Sequence, residues 1–196
     1  MPAELRVGGF VPFTAIDYPD HLAAVIFCQG CPWQCGYCHN KHLLPARSTS
    51  EIAWAEVVRL LERRRGLLDA VVFSGGEPTA QAALGAAMRI VRDMGFKIGL
   101  HTAGIYPRRL AEVLPLVDWV GMDIKADFED YERVTHVPGS GCAARESAGH
   151  ILASGVAYQF RTTVDTRVLG KPEVAKLSAH LLRLGAQHHV LQACRT

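Results

Sequence analysis

Short apolar runs rich in β-branched and aromatic residues alternate along the chain with longer segments whose apolar positions recur at the period of an α-helix. Runs of the first kind are typical of buried parallel strands, and segments of the second kind are typical of helices that pack on a sheet. The pattern predicts six strands, at residues 22–28, 68–73, 96–101, 119–124, 157–164 and 189–192. It predicts five helices, at residues 51–65, with Ser50 as N-cap, and at 80–94, 108–114, 146–153 and 172–184.

The alternation of strands and helices predicts the fold class. Repeated strand–helix units form a parallel sheet with right-handed crossovers. Six units are fewer than the eight of a closed barrel of ~250 residues, so we expect an α/β fold, a partial (β/α)6 barrel with parallel strands. We predict one domain over residues 1–196, in which residues 1–20 add a hairpin or cover, because no segment has the composition of a linker.

Composition and charge narrow the functional classes. The 196 residues are 49% hydrophobic and 20% charged, which is ordinary for a globular protein. A net charge of +2 is too small to indicate binding to nucleic acid or to an acidic membrane surface. No segment reaches the ~18 apolar residues of a transmembrane helix, and the first residues lack the apolar core of a signal peptide. We therefore expect a cytoplasmic protein with reduced thiols.

Three cysteines follow the first predicted strand with the spacing C-x3-C-x2-C, namely Cys31, Cys35 and Cys38. Iron–sulfur cubanes are usually held by four thiolates. A loop that supplies three leaves one iron open, as catalytic metal sites keep an open position. Cys28 makes a zinc site of two C-x2-C pairs an alternative, although zinc ribbons separate their pairs by a dozen or more residues. Because Cys28 ends an apolar strand, we favour a small buried thiol there.

The second predicted strand is followed by Ser74-Gly75-Gly76-Glu77-Pro78. Glycines allow the backbone to approach a ligand closely. Glu77 offers either a carboxylate to that ligand or a local structural hydrogen bond. Taken alone, the segment is also compatible with an ordinary turn between a strand and a helix.

The next three strand ends also carry polar side chains. Thr102 follows the third strand and offers a hydroxyl group to a ligand. Asp123 and Lys125 project from the same side of the fourth strand end, where they form either a cation clasp for a carboxylate or a salt bridge at the barrel rim. Arg161, on the fifth strand, is suited to grip a carboxylate with two hydrogen bonds, or is an ordinary surface arginine. All these positions fall at the C-terminal ends of strands, where parallel α/β folds place their sites.

The cysteine loop, with Tyr37 before its third cysteine, and the Gly75-Gly76-Glu77-Pro78 segment together resemble the signature of the radical S-adenosylmethionine (SAM) enzymes. The resemblance implies a [4Fe-4S] cluster on the three cysteines and SAM at the open iron. It implies SAM contacts from Tyr37, Gly75, Gly76, Glu77, Thr102, Asp123, Lys125 and Arg161. It assigns catalysis to the cluster and the cofactor rather than to a protein side chain, and it makes His39 a neighbour that tunes the cluster rather than a ligand.

Three further segments narrow the resemblance to the glycyl-radical-enzyme activases, and most closely to those of anaerobic ribonucleotide reductase. These are residues 37–40 (Tyr-Cys-His-Asn), 123–125 (Asp-Ile-Lys) and 161–164 (Arg-Thr-Thr-Val). The implied reaction is reductive cleavage of SAM to methionine and a 5′-deoxyadenosyl radical, which takes a hydrogen atom from a glycine of the partner enzyme. An external one-electron donor such as flavodoxin or ferredoxin is implied as well. In related activases an acidic residue that helps to hold a monovalent cation stands where this chain has His101.

Two alternatives remain open from the sequence. A radical SAM enzyme for a small molecule, similar to 7-carboxy-7-deazaguanine synthase, is expected to have a small, closed pocket and no large protein partner. A non-catalytic zinc-binding module is expected to contain zinc without iron or sulfide.

Overall fold

A computed structural model describes residues 4–194, in which seven strands form one sheet in the order β1 to β7. The strands are β1 (Val7–Thr14), β2 (Ala23–Cys28), β3 (Ala70–Gly75), β4 (Lys97–Thr102), β5 (Trp119–Asp123), β6 (Ala157–Val164) and β7 (His189–Ala193). Strands β2 to β7 are parallel, and β1 pairs with β2 in the antiparallel direction. The predicted α/β fold with six parallel strands in chain order is confirmed, and β1 and β7 lie at the two edges of the sheet.

Helices connect the parallel strands and cover the outer face of the sheet. They are α1 (Trp54–Glu62), α2 (Leu84–Asp93), α3 (Pro107–Val113), α4 (Glu132–Thr135), α5 (Ser140–Ser154) and α6 (Lys171–Arg183). A proline stands in the first turn of α3 and of α6, where its missing N–H would have no partner within the helix. No helix in the described part of the chain is both long enough and apolar enough to cross a membrane.

The predicted start of the first helix was wrong. The helix begins at Trp54 rather than at residue 51, and Ala53, not Ser50, precedes it. The backbone of Ile52 instead pairs with Val7 in an isolated antiparallel bridge. A contact with the distant first strand therefore keeps these residues extended, and the local capping signal at Ser50 does not reveal that contact.

Two other helix boundaries differ from the prediction for local reasons. The segment Pro78–Ala80 forms a single 3-10 turn, so α2 begins only at Leu84. The helix predicted at 146–153 begins six residues earlier, at Ser140, and ends at Ser154 before a left-handed Gly155. The short helix α4 was not predicted.

Two apolar layers flank the sheet. The larger core lies between the outer face of the sheet and the helices, and includes Phe73, Leu100 and Phe160. A smaller cluster fills the inner face near the N-terminal ends of the strands, with Tyr18 packed on Trp119 at a ring-centroid distance of 5.6 Å. Because this cluster fills the lower part of the partial barrel, the polar inner positions are left at the upper, C-terminal end.

Candidate active site

One cavity lies at the C-terminal ends of the parallel strands and contains nearly all the predicted site residues. Its lining includes Cys31, Cys35, Cys38, Tyr37, Gly75, Gly76, Thr102, Asp123, Lys125 and Arg161. Glu77 is the predicted site residue that does not line it. The strand-end positions therefore converge as the parallel topology requires.

Backbone hydrogen bonds fix the cysteine loop at the end of β2. The N–H of Cys31 donates to the carbonyl of Leu44 at 3.1 Å, and the N–H of Cys38 donates to the carbonyl of Cys35 at 3.0 Å. The three cysteines are free thiols of intermediate exposure. The three cysteines thus line the cavity, while one backbone bond ties the loop to the segment at Leu44 and the other closes a turn within the loop.

The thiols are suited to a metal cluster rather than to acid–base chemistry of their own. Burial raises the pKa of Cys31 to about 12, and burial also raises the pKa of Cys35 above its ordinary value. Such thiols keep their protons at neutral pH until a metal displaces them. Three soft sulfur donors on one cavity wall are the donor set that iron–sulfur clusters use, so these residues fit the implied cluster.

Cys28 does not join the other three cysteines. It is fully buried in the larger core between the sheet and the helices, as predicted, and it does not line the cavity. Within residues 4–194, no three His, Cys, Asp or Glu side chains are grouped so as to hold a single metal ion. A [4Fe-4S] cluster does not require three side chains to meet at a single metal ion, because each thiolate binds a different iron atom. The alternative zinc site of four thiolates is therefore not formed by the described residues.

The two glycines after β3 bring this turn against the cysteine loop. The N–H of Gly76 donates to the carbonyl of Cys28 at 2.9 Å, and the N–H of Glu77 donates to the carbonyl of Gly30 at 2.8 Å. Gly75 has a φ of +110°, which residues with a side chain rarely adopt. A Cβ atom on Gly76 would overlap the carbonyl oxygen of Gly30. Glycine is therefore required here for the close approach of two backbones.

Glu77 faces away from the cavity. Its side chain is fully buried and accepts hydrogen bonds from the backbone and hydroxyl of Thr79, the hydroxyl of Thr102 and the backbone N–H of Ala103. Burial raises the pKa of Glu77, and these four donors oppose that rise because they favour the ionised form. Of the two roles considered for Glu77, the structure shows the structural hydrogen bond, which joins the ends of β3 and β4.

An ion-paired cluster forms at the ends of β5 and β6. The carboxylate of Asp123 contacts Nζ of Lys125 at 3.2 Å and Nε of Arg161 at 3.2 Å, one through each oxygen. Burial raises the pKa of Asp123, but the charges of Lys125 and then Arg161 outweigh burial and bring it to about 2. Both oxygens already face a side-chain cation, and the two cations point into the cavity that the cysteines line. The predicted salt bridge is therefore present, and it holds the cationic groups at the site.

His101 lies below this cluster, at the end of β4. Its Nε2 donates to the carbonyl of Asp17 at 2.9 Å, and its Nδ1 is 3.4 Å from the hydroxyl of Ser74. A carbonyl oxygen can only accept, so Nε2 carries the proton of the neutral ring. Burial, and then the charge of Arg161, lower the pKa of His101 to about 4.

Tyr37 offers a polar group that has no partner within the described chain. Its hydroxyl is buried and makes no hydrogen bond to residues 4–194, while Nζ of Lys125 lies 5.6 Å from its ring centroid. A buried hydroxyl without a partner is costly, and a bound ligand could relieve that cost. The neighbouring Trp33, by contrast, is buried and packs edge-on against Tyr131 at 5.7 Å, as a core residue does.

The sequence did not reveal the role of Tyr131. Its buried hydroxyl accepts from the N–H of Lys125 at 3.0 Å and approaches the carbonyl of Asp123 at 3.4 Å. Tyr131 therefore fixes the backbone that carries both charged groups. It lies in an irregular segment with neither strand nor helix periodicity, so the pattern of the sequence carried no signal for it. Ser74 and Thr163 also line the cavity beside predicted residues.

Comparison with known proteins agrees with this geometry. The family model of the radical SAM superfamily matches residues 25–175, which cover the cysteine loop and the C-terminal ends of β2 to β6. The chain belongs to the radical SAM superfamily. It is therefore a radical SAM enzyme, and members of this superfamily use a [4Fe-4S] cluster and SAM. The cavity presents the residues that such an enzyme needs for both groups.

Several curated relatives carry activase names. A Methanocaldococcus jannaschii protein whose name assigns it provisionally to the glycyl-radical enzyme activating enzymes is 30% identical over 182 residues, covering 88% of this chain and 73% of the relative. The pyruvate formate-lyase-activating enzyme of Clostridium pasteurianum is 31% identical over 136 residues, covering 66% of this chain and 57% of that enzyme. The first match spans most of both chains.

Solved structures support the fold. Streptococcus suis SuiB, solved with its precursor peptide SuiA, aligns with a TM-score of 0.70 at 14% identity, over 87% of this chain. This chain spans only 39% of SuiB. The likeness therefore shows a shared radical SAM fold and carries no information on the substrate.

Proposed function

We propose that this protein is a glycyl-radical-enzyme activase that cleaves SAM reductively and transfers the radical to a glycine of a partner enzyme. The observation that carries the proposal is the convergence of three free cysteines with the Asp123, Lys125 and Arg161 cluster in one cavity. The activase names of the relatives support the same reaction class. We further propose that residues 1–196 act as one radical SAM domain and do so in the cytoplasm, where thiols stay reduced.

The roles of the residues follow from their chemistry. Cys31, Cys35 and Cys38 would hold the cluster, which supplies the electron for SAM cleavage when it is bound. Lys125 and Arg161 carry positive charge into the cavity and are suited to the carboxylate of SAM. The cofactor performs the difficult chemistry, and the protein binds, orients and excludes water.

The backbone around the Gly75-Gly76 turn and the hydroxyl of Tyr37 would contact the rest of SAM. The turn exposes main-chain groups to the cavity without a side chain in the way. The hydroxyl of Tyr37 is the buried group whose hydrogen bond a ligand would complete. In this proposal Thr102 lines the cavity and Glu77 supports it from outside the cavity, because the hydroxyl of Thr102 donates to Glu77 at 2.7 Å.

For the partner, we propose anaerobic ribonucleotide reductase. The support is the resemblance of residues 37–40, 123–125 and 161–164 to the activases of that enzyme. Anaerobic reconstitution with SAM, a reductant and candidate glycyl radical enzymes tests this choice, since a glycyl doublet in the EPR spectrum identifies the activated partner. A doublet on another glycyl radical enzyme would refute anaerobic ribonucleotide reductase as the partner and would still support the activase function. SAM cleavage that yields no doublet on any candidate would favour a small-molecule substrate.

The assignment of the cluster ligands is tested by Cys31→Ala. We expect this variant to lose the visible absorbance of the cluster and more than 90% of SAM cleavage, about one order of magnitude or more. Cys142→Ala is the matched control, because Cys142 is an exposed free thiol outside the cavity. Cleavage retained by Cys31→Ala, or lost equally in both variants, would refute the assignment.

A further inference from the structure

The cysteine loop has a second accessible face. A shallow depression shares Cys31, Cys35 and Leu44 with the active-site cavity but includes none of the strand-end residues. Its remaining lining consists of Gln34, Gly36, Lys41 and Pro45. Two of the three proposed cluster ligands can therefore be approached from a side that does not pass through the SAM cavity.

Hydrogen bonds hold the segment 41–46 along this face. The N–H of Gly30 donates to the carbonyl of Leu43 at 2.8 Å, next to the bond from Cys31 to Leu44. The buried side chain of Gln29 reaches across and donates to the carbonyl of Pro45 at 2.7 Å. The position of Lys41 beside the cysteine loop is thus fixed by the fold rather than left to a free loop.

This face is positively charged. The chain has 19 acidic residues among 196, yet none lies between Asp20 and Glu51. Lys41 and Arg47 are exposed within that interval. Two further cations adjoin them, and the four residues Arg6, Lys41, Arg47 and Arg133 define what we call the basic surface.

The two added arginines are placed by contacts with the same loops. Nε of Arg6 donates to the carbonyl of Ala46 at 2.9 Å. Arg133 is exposed on α4, the helix whose Thr135 carbonyl accepts a hydrogen bond from Gln34 of the cysteine loop at 3.2 Å.

Two acidic side chains that neighbour these cations in the sequence are engaged with the backbone. The carboxylate of Glu51 accepts from the N–H of Ser48 at 2.7 Å, and that of Glu132 accepts from the N–H of Gly139 at 2.6 Å. Neither carboxylate forms a salt bridge with the four cations within the described chain. None of the four cations of the basic surface is therefore tied up in a direct ion pair within the described residues.

We propose that the basic surface is the docking site of an acidic one-electron donor protein. This inference rests on the proposed function, in which each SAM cleavage consumes one electron from outside. Electron transfer slows steeply with distance, so a donor protein must dock close to the cysteines. The active-site cavity is assigned to SAM, which leaves the outer face of the cysteine loop. Opposite charges steer such transient redox partners and raise their rate of encounter.

The test compares two variants with equal changes in charge. Lys41→Glu with Arg47→Glu reverses two cations of the basic surface. Arg63→Glu with Arg65→Glu reverses two exposed arginines after α1, at the opposite end of the parallel strands. The cluster-loaded proteins are mixed anaerobically with a reduced acidic flavodoxin at low salt, and cluster bleaching is followed by stopped flow. Binding of the flavodoxin is measured separately by titration.

We expect the first variant to lose at least about tenfold in the bimolecular reduction rate and most of its salt dependence. The control is expected to change by less than about twofold, because its charges lie at the opposite end of the parallel strands from the cysteine loop. Dithionite needs no protein docking, so cluster bleaching and SAM cleavage with dithionite should be the same in all three proteins.

Equal donor rates and affinities in the three proteins would overturn the docking site. Unchanged donor kinetics with weakened binding of the glycyl radical enzyme would also overturn it, and would reassign the surface to that partner. Failure of the parent protein to cleave SAM with dithionite would instead count against the proposed function. The flavodoxin titration would still decide the docking site, because binding requires no turnover.

Discussion

At the scale of single residues, His101 is a buried neutral imidazole directly beneath a cluster of charges. Its Nε2 donates to the carbonyl of Asp17 and also lies 3.4 Å from Nη1 of Arg161, while its Nδ1 faces the hydroxyl of Ser74. Burial and the guanidinium both disfavour a second proton on the ring. His101 therefore joins the N-terminal segment to the end of β3 without adding charge to the site.

This environment predicts a pH dependence of stability. Because the pKa of His101 falls from 6.5 in the unfolded chain to about 4 in the folded protein, the unfolded state gains a proton first as the pH drops. Stability that is fully present above pH 6.5 is therefore lost progressively toward pH 4. Between pH 7 and pH 5 we expect His101 to contribute a loss on the order of 2 kcal/mol in the free energy of unfolding.

Denaturant unfolding of the cluster-free chain at several pH values measures this contribution. His101→Gln should flatten the dependence between pH 7 and pH 5, whatever its effect on stability at pH 7. His42→Gln, at an exposed position, is the control and should leave the slope unchanged. Equal slopes for His101→Gln and the parent protein would contradict the prediction.

At the scale of elements, the turn after β3 and the loop after β2 depend on each other. Their backbones meet where Gly76 and Glu77 donate to the carbonyls of Cys28 and Gly30. The cysteine loop contains neither helix nor strand, so these bonds, together with those to residues 43 and 44, set its position. The geometry of the cysteines is thus decided by neighbouring strand ends rather than by the loop alone.

Gly76→Ala tests this dependence. The new Cβ would overlap the backbone of Gly30, so the two segments must separate, at a cost of about 1–3 kcal/mol in unfolding free energy. We expect less iron bound per chain after reconstitution and a lower melting temperature. Gly85→Ala in α2 is the control, because its Cβ would lie 3.6 Å from the nearest atom, on Val113. That substitution should be neutral or stabilising by about 0.5–1 kcal/mol.

At the scale of the whole molecule, the open barrel is closed at its lower end by the N-terminal segment. After β1 the chain turns beneath the sheet and places Tyr18 against Trp119 and Gly99. Tyr18 is only 6% exposed although it lies outside any strand. The lower end is thus filled by an apolar cluster that includes Tyr18 and Trp119, and the polar site occupies the upper end.

Tyr18→Ala should therefore destabilise the entire barrel. Removing a buried aromatic side chain leaves a cavity and costs about 3–5 kcal/mol in unfolding free energy, which a melting curve of the cluster-free chain would measure. Phe13→Ala removes an aromatic side chain that is 55% exposed, and it should change the free energy by less than about 0.5 kcal/mol. A similar loss in both variants would show that Tyr18 does not close the barrel.

The sequence predicted the strand order because each strand is encoded by its own apolar run, and the parallel connection follows from the intervening helices. It predicted the strand-end residues because all parallel strands end at the same edge of the sheet. It misplaced the start of α1, where the bridge between Val7 and Ile52 joins segments 45 residues apart. A local capping rule cannot include such a contact.

By itself, then, the sequence determined the six parallel strands with their connecting helices, the three-cysteine loop and the strand ends that carry polar groups, since these are features of contiguous residues. Only the tertiary structure decided where their side chains point. The carboxylate of Glu77 points away from the cavity because Thr102 and Ala103, at the end of the neighbouring strand β4, donate hydrogen bonds to it. Asp123 accepts a hydrogen bond from Arg161, which lies 38 residues later in the sequence. The sheet alone brings such residues together, because their pairing depends on register and depth rather than on spacing in the sequence.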